Sequence, residues 1–191
     1  EEILNVDMGM IGTLEIPCID VVLPVYHGVS EEVLRKGVGH IQETAFPIGG
    51  EGTHAVLSTH RGLPEARLFT DLDKVEIGDM FYIRIFDEVL AYETDEIQVI
   101  SPSDLSQLKP EMGKDYVTLL TCTPYGINSH RLLVRGERRE YVPEVKEEIQ
   151  ARTVHTERYM LAGITVLILV VVAMAGYSTY RRSKKRTGKK T

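Results

Sequence analysis

The sequence holds little that a metal, a nucleotide or a nucleic acid could use. Its two cysteines, Cys18 and Cys122, lie far apart, and no CxxC or HxxxH spacing occurs. A zinc-type ligand set is therefore not spelled out. The acids are dispersed, with no twelve-residue calcium loop. No glycine-rich loop runs into a helix carrying Lys-Ser/Thr, as a phosphate cradle requires. We accordingly expect no metal and no cofactor. No internal repeat appears at solenoid periods. No export signal precedes Glu1 and no initiator Met is present, so a processed or partial form is the expectation.

Basic charge is also scarce, except at one end. The chain carries a net charge of −6, yet its last eleven residues, RRSKKRTGKKT, hold seven basic residues and no acid. Everything before that tail is strongly acidic, which argues against nucleic acid as a partner.

The one long apolar run covers residues 159–180, which contain no charge and centre on LAGITVLILVVVAMAG. As a helix it would extend about 33 Å, close to the hydrocarbon thickness of a bilayer. A tyrosine stands at each end, as in an aromatic belt, and the basic tail follows at once. The positive-inside rule then puts the tail, 181–191, in the cytoplasm and residues 1–158 outside, with a lipid membrane as partner. We expect a single-pass protein of the cell membrane with an extracytoplasmic domain. Residues 1–10 read as a truncated lead-in, 11–142 as the globular domain and 143–158 as a charged stalk.

Within that domain, short apolar stretches alternate with Gly/Pro turns. Strands are expected at 11–17, 19–26 (interrupted by Pro24, which suggests an edge or a kink), 53–59, 79–86, 89–92, 96–100, 116–122 and 131–136. Ser30 caps a short helix, EEVLRKG, with Glu31 and Glu32 in its first turn and Arg35 and Lys36 in its last; Gly37 and Gly39 end it. Short helices are also expected at 64–72 and from Ser101-Pro-Ser-Asp104 onward. Seven or eight short strands with few helices favour a mainly β closed barrel or sandwich over a layered parallel sheet.

Residues 118–135, TLLTCTPYGINSHRLLVR, concentrate the chemistry. An apolar strand ends on Cys122, a turn-rich loop follows, and a second strand starts at Arg131. A thiol at a strand end is placed to react, but it needs a group that takes its proton or stabilises its thiolate. His60 also ends a strand before a Gly/Pro turn and is the first candidate. His27, before Gly28, is the second. His40, His54, His130 and His155 read as surface or structural. If the two strands pair antiparallel, the loop returns Arg131 to Cys122, where a guanidinium would stabilise an oxyanion or anchor substrate backbone; a solvated strand-start arginine is the alternative. Asn128 reads as a turn residue. A Cys18–Cys122 disulfide remains open and would mask the thiol.

TLLTC ending on Cys122, the following Arg131 and STHRG around His60 together resemble the sortases. LPVYHG at 23–28 and GHIQETAFPIGGEGTHAVLSTHRG at 39–62 are similar to class C, the pilin-polymerising sortases. The resemblance covers about residues 9–143, and a C-terminal membrane helix agrees with it. It implies a closed eight-stranded sortase-type β-barrel and a Cys-His-Arg transpeptidase. Cys122 matches the nucleophile, His60 the general acid/base and Arg131 the oxyanion or substrate-positioning residue, while Cys18 becomes a bystander. It further implies cleavage of an LPXTG-like sorting signal between Thr and Gly through a thioacyl intermediate, and transfer to a lysine amine of a pilin or to a cell-wall precursor. Class C members usually carry an N-terminal lid with an Asp-Pro-aromatic motif, and none precedes Met8 here. Three readings follow: a surface transpeptidase, in pilus assembly or wall anchoring; a cysteine peptidase; and a non-catalytic surface binding module.

Overall fold

Eight short, largely apolar stretches of the chain form strands, and those strands close on themselves. In the computed structural model, which describes residues 9–64, 66–143 and 174, the strands are β1 (Met10–Ile16), β2 (Val21–His27), β3 (Val38–His40), β4 (Thr53–Ser58), β5 (Met80–Ile85), β6 (Glu88–Ile100), β7 (Asp115–Thr123) and β8 (His130–Arg139). They form a closed barrel in the order β1-β2-β3-β4-β7-β8-β6-β5. Closure leaves no free sheet edge, which settles the choice between barrel and sandwich. Two pairs are parallel, β2 with β3 and β4 with β7; the others are antiparallel.

One helix, α1 (Glu31–Lys36), interrupts the strands. Ser30 caps it by accepting a hydrogen bond from Val33 N at 3.3 Å. The acids of its first turn and the cations of its last pair along its face, Arg35 with Glu31 and Lys36 with Glu32.

The core is the barrel interior. Leu14 and Ile16 of β1, Ala55 and Leu57 of β4, Val117 and Leu119 of β7 and Leu132 and Val134 of β8 point inward. Phe69 and Leu72, from the segment between β4 and β5, add to the same cluster. Phe81 and Tyr92 stack with centroids 5.6 Å apart. Gly136 of β8 makes room for them: a Cβ there would meet Phe81 Cε1 at 2.5 Å.

Several sequence expectations change. The segment expected to be helical at 64–72 instead forms a bridge between Leu63 and Ala66 and a 3-10 turn at Leu72–Lys74. Burial of Phe69 and Leu72 governs the chain there more than helix propensity does. The helix expected from Ser101 is a 3-10 turn at Ser106–Leu108. The two strands expected at 89–92 and 96–100 are the single long β6, whose pairing with β8 shifts between Thr94 and Glu96. Such a bulge breaks the alternation that marks a strand. Val38–His40 is a strand although its glycines resemble a helix stop. Gly39 is needed there because a Cβ would lie 2.4 Å from Gly28 O. Pro24 stands one residue before β2 begins pairing with β3 at Val25, a local edge within a closed sheet.

The chain divides into two compact units, Glu1–Glu144 and Val145–Thr191. The expected stalk, membrane helix and basic tail over residues 143–191 lie, apart from 143 and 174, outside the described residues, as do residues 1–8. Among the described residues no helix is long and apolar enough to cross a membrane.

Candidate active site

Inward residues on three adjacent strands fix which side chains face outward. On β7, Val117 and Leu119 point into the core, so Thr118, Leu120 and Cys122 lie on the outer face. On β8, Leu132 and Val134 point inward, which turns Arg131 outward. Cys122 and Arg131 are direct partners in the β7–β8 ladder, and opposite partners share a face. The antiparallel return expected from the sequence is therefore present.

His60 reaches the same place from the other side. β4 runs parallel to β7, with Ser58 beside Leu120 at its end. Two bonds carry the alignment further. Thr59 N donates to Leu120 O at 3.3 Å, and Thr121 Oγ1 donates to Thr59 O at 2.9 Å. Continuing that register sets His60 level with Cys122. Cys122 and Arg131 thus face each other at the ends of β7 and β8, and His60 follows two residues after the end of the neighbouring β4. Cys122 and Arg131 are half-buried, and the His60 side chain is 30% exposed.

Loop contacts hold these residues in place. Arg131 Nη1 donates to His130 O at 3.0 Å and to Asn128 O at 3.3 Å. Asn128 turns the chain with φ 59°, as its reading as a turn residue requires. Gly62 has φ 83° and packs under Tyr125, whose ring a Cβ at Gly62 would meet at 2.6 Å. The loop after His60 and the loop after Cys122 therefore touch.

Two residues of the site were not singled out from the sequence. Arg61 has a side chain only 8% exposed. Its Nε donates to Thr70 O at 3.1 Å, its Nη1 donates to Thr123 Oγ1 at 3.3 Å, and its Nη2 pairs with Asp73. A buried guanidinium thereby links the residue after His60 to the residue after Cys122. Its position inside STHRG was the available signal. Glu31, in the first turn of α1, has Oε2 3.3 Å from His60 Nε2. Its acidic first-turn position was legible, but its reach across the fold was not. The hydrogen bond from Arg35, followed by the desolvation-opposed attraction of His60, holds its carboxyl below the usual carboxylate range.

The remaining histidines and the second cysteine lie elsewhere. His27, the second candidate, is engaged with His40, Nδ1 to Nδ1 at 3.2 Å, and is not brought to Cys122. His40 and His54 are buried, and burial lowers the pKa of each. His54 Nδ1 donates to Lys109 O at 3.1 Å and its Nε2 accepts from Thr118 Oγ1 at 2.7 Å, tying the β6–β7 connection to the outer face. His130 is exposed; His155 lies outside the described residues. Cys18 sits in the 3-10 turn Pro17–Ile19. Burial, aided by Asp79, pushes its thiol up to about 12. Both cysteines are free thiols, so no disulfide masks Cys122.

The outer face of β6, β7 and β8 also holds a small pocket. Thr118 of β7, Leu133 and Arg135 of β8, Glu96 and Gln98 of β6, and Gln107 of the β6–β7 connection line it. Among the described residues no three His, Cys, Asp or Glu side chains converge as a metal site.

A sortase domain family model matches residues 14–139, about two thirds of the chain. A crystal structure of sortase C1 from Streptococcus suis is 61% identical, with a TM-score of 0.70, covering 71% of this chain and 75% of that one. Streptococcus agalactiae sortase C1, crystallised as a complex with MTSET, is 55% identical with a TM-score of 0.71, covering 74% of each chain. Sortase SrtE1 of Streptomyces coelicolor is 35% identical over 147 residues, which are 70% of this chain and 41% of that protein. The chain thus spans well under two thirds of that curated relative.

Proposed function

This chain belongs to the sortase family, its structural neighbours are class C sortases, and from that premise we propose that it is a membrane-anchored cysteine transpeptidase of pilus assembly. Its substrates are proteins bearing an LPXTG-like sorting signal, and the acyl acceptor is a lysine amine of a pilin. The observation that carries this reading is the direct pairing of Cys122 with Arg131 across β7 and β8, with His60 two residues past the end of β4, the parallel neighbour of β7.

Each residue has one task. The Cys122 sulfur attacks the threonine carbonyl carbon of the sorting signal. The Thr–Gly C–N bond breaks and the threonine acyl group becomes a thioester on Cys122. His60 gives a proton to the departing glycine amine and later takes one from the incoming lysine amine. That amine attacks the thioester carbonyl, an amide forms, and the Cys122 sulfur leaves. Arg131 donates hydrogen bonds to the carbonyl oxygen while it carries negative charge, or holds the substrate backbone beside it. The buried guanidinium of Arg61 supports this reading, because it fixes the spacing between the two strand ends that must cooperate.

The apolar run at 159–180 anchors the enzyme and the basic tail stays in the cytoplasm, so the barrel works outside on other surface-bound proteins. Confinement to one surface raises the effective concentration of pilin acceptors, which favours transfer over hydrolysis.

The test is product analysis. The protein incubated with an LPXTG peptide and an added amine yields the amide adduct. Hydrolysed peptide alone would make it a peptidase. No cleavage, together with no labelling of Cys122 by a thiol reagent, would make it a binding module. With candidate pilins, an isopeptide crosslink seen by mass spectrometry identifies the acceptor lysine.

A further inference from the structure

A general base that also serves as an acid must have its ring turned correctly and the right nitrogen free. The fold supports His60 for this from α1. Thr59 is 4% exposed. Its Oγ1 lies 2.6 Å from Gly37 O and 3.0 Å from Leu34 O, donating across the last carbonyls of α1. Its own carbonyl accepts from Thr121 Oγ1 at 2.9 Å. The helix, the residue before His60 and the residue before Cys122 are thus tied in one line. The helix in turn brings Glu31 Oε2 to 3.3 Å from His60 Nε2, while Arg35 Nε donates to the other oxygen, Oε1, at 3.0 Å. A carboxylate only accepts hydrogen bonds, so the proton between Glu31 and His60 sits on Nε2.

We propose that Glu31 is a positioning residue for His60, holding its Nε2–H tautomer and leaving Nδ1 as the nitrogen that exchanges protons in the reaction. The inference rests on the transpeptidase reading of the site and adds a residue to it. When Nδ1 takes a proton from the incoming amine, the ring becomes an imidazolium whose Nε2–H already faces a carboxylate. When Nδ1 gives its proton to the leaving amine, the neutral Nε2–H tautomer remains and the ring need not flip. Glu31 does not touch the reacting atoms. Its carboxylate is 64% exposed, so the rate effect is small and the tautomer is the sharper signal.

The experiment uses the full chain with 15N-labelled histidine and the variants Glu31→Ala, Glu31→Gln and Arg35→Ala. In the wild type at neutral pH, the His60 resonances, identified by their loss in His60→Ala, report protonated Nε2. In Glu31→Ala the two tautomers mix, and kcat falls about two- to fivefold with KM for an LPXTG peptide unchanged. Glu31→Gln, which keeps an acceptor, restores the tautomer. Arg35→Ala, which removes a partner of Glu31 but not its carboxylate, leaves the tautomer as it was. An unchanged His60 spectrum in both Glu31 variants would overturn the inference, as would a tautomer shift in Arg35→Ala equal to that in Glu31→Ala. Neither result depends on turnover. Failure of the transpeptidase reading would show separately, as an LPXTG peptide and amine that give no amide adduct with the wild type.

Discussion

At the scale of single residues, the two thiols are the sharpest contrast in the molecule. Cys18 is held protonated by burial and by Asp79, with its thiol pushed up to about 12. Cys122 pairs with Arg131 across β7 and β8 and is half-buried. A methanethiosulfonate reagent at pH 8 is therefore expected to modify Cys122 much faster than Cys18, read by peptide mapping. Cys18→Ser leaves turnover nearly unchanged and Cys122→Ala abolishes it. Arg131 donates to the carbonyls of Asn128 and His130 while facing Cys122. Arg131→Ala is expected to lower kcat/KM by about 10²–10³, the typical loss on removing one oxyanion donor. Activity near the wild-type level in Arg131→Ala would remove that role.

At the scale of elements, the strand ends of β4 and β7 and the loops leaving them decide whether the site exists. Arg61 joins them through Thr70, Thr123 and Asp73. Arg61→Met keeps the apolar stem but abandons these bonds. It should cost about 1–3 kcal/mol in denaturant unfolding and lower kcat further than that loss of stability alone explains. Gly62→Ala meets both a positive φ and the Tyr125 ring. It is expected to destabilise by about 1–2 kcal/mol and to displace the β7–β8 loop. These elements also show what the sequence could and could not convey. Strands β4, β7 and β8 and the Cys122–Arg131 pairing were legible because apolar alternation and a turn-rich loop are local signals. The strand β3 was not, because its glycines serve close backbone approach and resemble a helix stop. The segment carrying Phe69 and Leu72 was misread because burial in the barrel overrides its local helical preference. The Glu31 contact with His60 spans 29 positions through a helix held on the barrel by Thr59, and nothing local announces it.

For the whole molecule, burial disfavours the charged form of two histidines inside the fold. Both His40 and His54 have pKa values lowered from the ordinary 6.5, with desolvation the leading cause. A lowered folded pKa contributes stability that is complete above 6.5 and is lost as pH falls through the folded values. The depressed carboxyls of Asp71 and Glu137 act in the same direction at lower pH. The melting temperature should therefore drop by several degrees between pH 7 and pH 5. His54→Gln should be less stable at pH 7 and show a shallower decline with acid. Removing residues 159–191 should release the protein from the membrane fraction while leaving its thiol chemistry intact, since the family match ends at residue 139. The central claim is that Cys122 carries an acyl group from a sorting signal to an amine. Intact-mass spectrometry of the protein mixed with an LPXTG peptide and no amine tests it most directly. The account predicts an added mass equal to the peptide up to its threonine, located on Cys122, absent in Cys122→Ala and discharged when a lysine amine is supplied. Cleavage that proceeds equally in Cys122→Ala, or an acyl group found on any other residue, would contradict it.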